Sequence, residues 1–317
     1  MPRKNMKKGG NNNVYINELI NSIRIRSRQD IRNIEAQINN IVERGINIDT
    51  RYSSGNTPLM VAANSGNKDI IEILVNKGAN VNLKDGMNRT VLMTAIDSGE
   101  IRYLEEFENE KNRRFEIVKF LIDKGADVNV KSGLSGITPL IRLSQINDTD
   151  TLKLLLEEGA NVNDKDIEFG RTPLFYAIEN KKVENVKFLL DKDADIYIRD
   201  RLGNTPLEYA ENLLAIEEDI SRRFDDSEDE SDGIRKIKGN LKKIIRLIRG
   251  AIGLKKLTAM KHSPNVRNLG LYDAMSAYYR DHPDEMEGGK KKRVYKKKEE
   301  ENIFKTISNS FKKLFKF

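Results

Sequence analysis

Thr57-Pro58-Leu59 returns along the chain as Thr90-Val91-Leu92, Thr138-Pro139-Leu140, Thr172-Pro173-Leu174 and Thr205-Pro206-Leu207. The threonines stand 33, 48, 34 and 33 residues apart. A second element recurs out of phase with the first. It reads Gly78-Ala79-Asn80-Val81-Asn82, Gly125-Ala126-Asp127-Val128-Asn129 and Gly159-Ala160-Asn161-Val162-Asn163, with a weaker copy at Asp193-Ala194-Asp195-Ile196-Tyr197. Apolar helix patterns lie between the two, such as Ile70-Ile71-Glu72-Ile73-Leu74 and Val186-Lys187-Phe188-Leu189-Leu190. A fixed period of this length marks a stack of supersecondary units.

Each element has a mechanical meaning. The Thr hydroxyl can accept an orphan N–H at a helix start, and the Pro after it costs nothing at the first helical position. Gly after the second helix supplies a left-handed cap. The Asn/Asp and Gly that follow build a tight turn. One unit therefore reads as short helix, turn, second helix and extended finger. Helices of about ten residues are marginal alone, so the units must stack.

The pattern resembles the ankyrin repeat family over residues 55–212, as four complete units and a truncated fifth. The resemblance implies an all-α solenoid of helix-turn-helix plus finger units, followed by a basic C-terminal extension, helical or disordered. The expected organisation is a disordered basic start (1–14), a degenerate capping repeat (15–54), the repeats (55–224), an acidic linker (225–233), a basic amphipathic helix (234–261) and a basic tail (262–317). In the capping unit, Ile34, Ile38, Ile41 and Val42 fall at helical spacing.

Three departures from the family pattern stand out. The family usually has His after Thr-Pro-Leu; here those places hold Met60, Met93, Ile141, Phe175 and Glu208. His-mediated bonds between repeats are then absent, and stacking leans on apolar contact. The long gap places an insertion near 101–115, read as a lengthened helix or a projecting loop. Asp193 replaces a cap glycine, which predicts fraying there.

The resemblance also implies which side chains face a partner on the concave surface. From the fingers these are Tyr52, Asn56, Met87, Arg89, Ile137, Phe169, Arg171, Arg201 and Asn204; from the first helices, Asn64, Asp97 and Glu179. Tyr, Phe, Met and Arg are typical interface anchors. The other reading folds these turn residues back onto the next repeat, Leu134 and Ile137 above all.

Composition narrows the chemistry. The 317 residues contain no Cys and two His, His262 and His282. Disulfides, thiolate chemistry and multi-His metal sites are thereby excluded or nearly so. No phosphate-binding glycine loop or hydrolase motif is present. The expectation is a non-enzymatic protein without cofactor or metal. No stretch approaches the roughly 20 apolar residues of a membrane span, and the first residues do not read as a secretory signal.

Charge is unevenly placed. Residues 55–224 carry 23 Lys/Arg against 30 Asp/Glu, and residues 233–317 carry 23 against 8. Ile234, Ile237, Leu241, Ile244, Ile245 and Ile248 share one face of a basic helix. That helix could cap the stack, bind an anionic membrane or enter a partner groove. Lys290, Lys291, Lys292, Arg293, Lys296, Lys297 and Lys298 form a cluster that suits nuclear import, nucleic-acid phosphates or anionic lipid. Ile303 to Phe317 is again amphipathic. The Ile-, Asn- and Lys-rich composition is similar to that of ankyrin proteins from large DNA viruses or intracellular bacteria. That implies a host protein as partner and an intracellular site, in the cytoplasm or nucleus of a eukaryotic cell. The expected module is a monomeric scaffold. A tail-mediated tether to membrane or nucleic acid is the alternative.

Overall fold

The structure is a computed structural model that describes residues 12–24, 31–52, 55–98, 107–223 and 232–261. Among them no strand occurs. Helices α1 (Asn12–Arg24) and α2 (Ile31–Glu43) precede the first Thr-Pro-Leu. Four pairs follow: α3 (Pro58–Ser65) with α4 (Lys68–Asn76), α5 (Val91–Asp97) with α6 (Phe107–Asp123), α7 (Pro139–Ser144) with α8 (Thr149–Glu157), and α9 (Pro173–Glu179) with α10 (Val183–Asp191). Then come α11 (Pro206–Arg223) and α12 (Asp232–Lys261). The chain divides into two compact units, Met1–Tyr209 and Ala210–Phe317.

In the first unit, α1, α3, α5, α7 and α9 touch in sequence, as do α2, α4, α6, α8 and α10. The result is two layers of helices, one pair per repeat. The first-layer helices are apolar on nearly every side: Pro58 to Ala63 in α3 and Pro173 to Ile178 in α9 are all buried. Second-layer helices bury one stripe only, such as Ile70, Ile71 and Leu74 in α4 or Leu152 and Leu155 in α8. Each such buried side chain contributes roughly 1.5–3 kcal/mol. The degenerate unit obeys the same rule. Ile16, Leu19, Ile20 and Ile23 of α1 and Ile34, Ile38 and Ile41 of α2 are buried, whereas Val42 is exposed. Helix α1 starts at Asn12, inside the stretch expected to be disordered.

The places where the family has His are filled by buried Met60, Met93, Ile141 and Phe175. Stacking nevertheless keeps a polar ladder that the sequence reading did not anticipate. The Asp49 carboxylate accepts the Asn80 N–H (3.1 Å). Asn82 Oδ1 accepts the Asp127 N–H (2.9 Å), Asn129 Oδ1 the Asn161 N–H (2.9 Å) and Asn163 Oδ1 the Asp195 N–H (2.8 Å). Asn82 and Asn129 also donate to the Gly125 and Gly159 carbonyls (2.8 and 3.1 Å). Each repeat thus satisfies backbone groups of the next. The weaker fourth copy ends the series, because Tyr197 stands where the amide would be.

Thr57 and Thr138 cap their helices as expected, accepting from the N–H of Met60 and Ile141. Thr90 and Thr172 make no such bond. Thr205 and Glu208 form a reciprocal capping box, so the acid in the last His place has a helix-starting role. Asp193 does not fray its helix. It takes φ 59°, and Ala194 N–H still reaches the Leu189 carbonyl at 2.9 Å.

The insertion resolves in favour of helix where it is described. Helix α6 has 17 residues where α4, α8 and α10 have 9. Its added N-terminal turns place Arg114 against Asp148, the N-cap of α8, at 2.8 Å. Both side chains are almost fully buried. Removing one partner of such a pair strands a buried charge.

Two stability predictions follow from these contacts. Asp148→Ala should cost about 3–5 kcal/mol in urea denaturation, because Arg114 loses its counter-charge and α8 its cap. Asp148→Asn together with Arg114→Met, which keeps the cap and removes both charges, should cost far less. Asp193→Gly should stabilise the chain by about 1 kcal/mol, since a left-handed backbone suits glycine.

Candidate functional site

The fingers are hairpins closed by one repeated backbone bond. Tyr52 N–H reaches the Asn56 carbonyl, Asp85 that of Arg89, Ser132 that of Ile137, Asp166 that of Arg171 and Asp200 that of Asn204, all between 2.8 and 3.0 Å. The residue two before each Thr is left-handed: Gly55, Asn88, Gly136, Gly170 and Gly203. At Gly136 a side chain is also sterically barred, since a Cβ there would lie 2.6 Å from Ile167 Cγ1 and 3.1 Å from its backbone nitrogen. Neighbouring fingers are tied together. Gly133 N–H donates to the Met87 carbonyl (2.9 Å), Ile167 N–H to that of Ser135 (2.8 Å) and Arg201 N–H to that of Phe169 (2.8 Å).

Inside three fingers a buried aspartate organises the turn. Asp85 accepts the N–H groups of Met87 and Arg89, Asp166 those of Phe169 and Arg171, and Asp200 those of Leu202 and Asn204. The apolar side chains at the turns point outward, in these three fingers and in the 131–137 finger, which has no aspartate. Met87 is 59% exposed, Leu134 97%, Phe169 41% and Leu202 77%. Tyr52 and Ile137, expected in the same row, are half-buried. Leu134 does not fold back onto its neighbour.

The structure brings four of the expected residues together. Asn56, Asn64, Arg89 and Asp97 line a cleft of about 180 Å³ with Arg24, Met60 and Thr94. Arg24 lies over the Tyr52 ring at 5.0 Å. Arg89 is fixed by Asp85 at 2.9 Å, and Asp97 by Arg142 at 2.6 Å. Nothing in the spacing of the motifs pointed to Arg24 or Arg142.

Arg171 requires a correction. It was expected to face a partner; it is 8% exposed. Its guanidinium lies between the rings of Phe169 (4.9 Å) and Tyr209 (4.4 Å). It donates to Glu179 Oε1 (3.1 Å), with Asp200 at 3.6 Å. Glu179 is drawn into the same network, accepting the Tyr209 hydroxyl at 2.9 Å. The reason is electrostatic: two adjacent fingers bury Asp166 and Asp200, and a planar cation that can stack on rings is the counter-charge that the site beside Asp200 can house. Burial first, then the bond to Glu179, pushes the Tyr209 hydroxyl up to about 12. Burial and the neighbouring Asp166 carboxylate raise Tyr176 further. Arg201 remains exposed and Asn204 half-buried.

In the second unit α12 carries the expected amphipathic pattern. Leu241, Ile244, Ile245 and Ile248 are buried, so that face is not free to enter a membrane. Lys242 and Arg249 pair with Glu218 and Glu211 of α11. The basic cluster from Lys290 to Lys298 and the segment from Ile303 onward lie outside the described residues. Among the described residues no helix is long and apolar enough to cross a membrane. No cluster of three potential metal ligands occurs among them either.

Comparison with known proteins gives three results. A family model described as "Ankyrin repeats (3 copies)" matches residues 30–131 and 108–200, more than half of the chain. No curated protein matches. Among solved structures, the chain is similar to one in a complex of a predatory endopeptidase from Bdellovibrio bacteriovorus with an immunity protein. That likeness has 26% identity and a TM-score of 0.49, covering 61% of this chain and 90% of the other.

The Tyr209 network predicts an alkaline weakness. A folded-state pKa raised from 10.0 to about 12 means the contribution is whole below pH 10 and lost as pH rises through 12. Phenolate absorbance and circular dichroism should show ionisation and loss of helix together. Tyr209→Phe should shrink that alkaline step.

Proposed function

The chain belongs to the ankyrin-repeat family, and we propose that it holds a protein partner along the fingers and first helices of its first unit. Members of this family are in general protein-interaction modules and typically not enzymes. The observation that carries the reading is the row of exposed apolar tips, Met87, Leu134, Phe169 and Leu202. Single exposed apolar residues need no explanation. Here they recur on four successive fingers, three of whose turns are held by a buried aspartate, and neighbouring fingers are bonded to one another. Such preorganised apolar anchors lose little conformational freedom on binding.

The cleft formed by Asn56, Asn64, Arg89 and Asp97 adds a polar region near the N-terminal end of the same unit. Of the residues expected at the interface, Met87, Phe169 and Arg201 supply exposed contact area, and the half-buried Tyr52, Ile137 and Asn204 frame it. Arg171 and Glu179 support the finger from beneath.

The reading is tested by replacing Met87, Leu134 and Leu202 together with Ser. Phe169 is left in place because its ring packs on Arg171. The partner would first be captured from cell lysate with the full chain and identified. Affinity for it should fall by about a hundredfold, the order expected when several interface anchors are truncated, with the helical circular dichroism and the melting temperature unchanged. Unaltered affinity would move the interface elsewhere.

A further inference from the structure

The stretch that carries the repeats is acidic by count, with 23 Lys/Arg against 30 Asp/Glu over residues 55–224. Its finger edge is not. The five fingers, 51–56, 84–89, 131–137, 165–171 and 199–204, hold eight bases and four acids. Three of those acids, Asp85, Asp166 and Asp200, are buried, and their oxygens hold turn N–H groups. Only Glu168 is left as an exposed acid. The bases are placed the other way. Arg51, Lys84, Lys131, Lys165 and Arg199 stand at the entry to successive fingers, one per finger, and all are exposed.

Two of these five bases are neutralised. Lys131 pairs with Asp164 at 3.1 Å and Arg199 with Glu208 at 2.9 Å. Arg51 is held by the carbonyls of Gly55 and Lys84, which leave its charge uncompensated. Lys84, Lys165 and Arg201 have no carboxylate within ion-pair distance among the described residues. Successive repeats stack at the helix–helix distance, about 8–10 Å. That is close to the screening length of roughly 8 Å at physiological salt. The uncompensated charges therefore act as a positive line beside the apolar tips, on the first, second, fourth and fifth fingers, with Lys131 of the third paired to Asp164.

From this geometry we infer that the partner of the proposed surface is an extended acidic segment, with a carboxylate at about every third residue and apolar side chains between. This rests on the finger surface being the binding face. The spacing follows from chain geometry. A polyproline II segment turns once in three residues and rises about 3.1 Å per residue, so every third side chain faces the same way about 9 Å along and matches one repeat. The apolar residues between the acids meet Met87, Leu134, Phe169 and Leu202. A segment with its acids clustered matches one finger only, and a basic segment is repelled along the whole edge.

The test uses the full chain and a synthetic peptide of five Glu-Leu-Ser triplets. A peptide of the same composition with its glutamates gathered at one end, and one with Lys for Glu, serve as comparisons. Binding is measured against salt concentration. The triplet peptide should bind best, and Lys84→Glu with Lys165→Glu and Arg201→Glu should weaken it at least tenfold and flatten its salt dependence. Equal binding to wild type and the charge-reversed variant places the attraction in other bases of the chain and overturns the inference, as does failure of the triplet peptide to bind. The same variant is then tried on the captured natural partner. If that partner needs Met87, Leu134 and Leu202 but ignores the charge reversal, the finger surface stands and the acidic partner falls. Indifference to both sets ends both readings.

Discussion

Helices of six to nine residues cannot hold themselves together in water, because nucleating a turn costs more than so few hydrogen bonds return. Every helix from α3 to α10 except α6 has that length or less. Everything else in the first unit answers this constraint. The first-layer helices are buried on almost all sides, which only neighbours before and after can provide. The second layer buries one stripe and leaves the other in solvent. The Asp49, Asn82, Asn129 and Asn163 ladder then fixes the distance from one repeat to the next. It uses side-chain amides and a carboxylate in the turn, where the helices themselves have apolar residues. The missing His is thus matched by bonds elsewhere in the repeat, so stacking is not left to apolar contact alone.

The period was legible because it is written in residues with narrow backbone or capping roles. Pro58, Pro139, Pro173 and Pro206 open helices, and Gly78, Gly125 and Gly159 close them with positive φ. Helix α12 was legible because its isoleucines repeat every three or four residues. What escaped were features whose partners lie far apart in sequence. Arg114 and Asp148 are 34 residues apart, and one of them sits in an insertion with no counterpart in other repeats. Asn185, buried in α10, donates to the Leu143, Ser144 and Ile146 carbonyls at the end of α7. No periodic pattern could announce either contact. Helix α1 lies mostly within the capping repeat expected over 15–54, but its start at Asn12 was not legible: it has no Thr-Pro-Leu, and only its buried Ile16, Leu19, Ile20 and Ile23 mark it.

Arg171 shows how a correct residue can be given the wrong direction. An arginine beside a finger turn reads as an interface anchor from its type and place. Its true position depends on where Asp166 and Asp200 point. A signal was available in the recurrence of Asp85, Asp166 and Asp200 five or six residues before a repeat threonine. A carboxylate that returns at a turn is a candidate to hold the turn's N–H groups. Once it is buried there, a neighbouring arginine becomes its counter-charge. Arg89 on Asp85 makes the same arrangement two repeats earlier, with more of the guanidinium exposed.

The same aspartates connect folding to recognition. A carboxylate spent on backbone N–H groups inside a finger contributes little to the field outside it, because its charge is met by the turn dipoles and by Arg89 or Arg171. Of the exposed bases at the finger entries, Lys131 and Arg199 are paired with carboxylates, whereas Arg51, Lys84 and Lys165 have no such compensation among the described residues. A segment that is acidic on paper therefore presents a positive edge. Net charge summed over a sequence window misses this, since it weights a buried, hydrogen-bonded carboxylate equally with an exposed ammonium group. In the fingers of Asp85, Asp166 and Asp200, the chemistry that lets the turn close tightly also takes the acid out of the surface beside its tip.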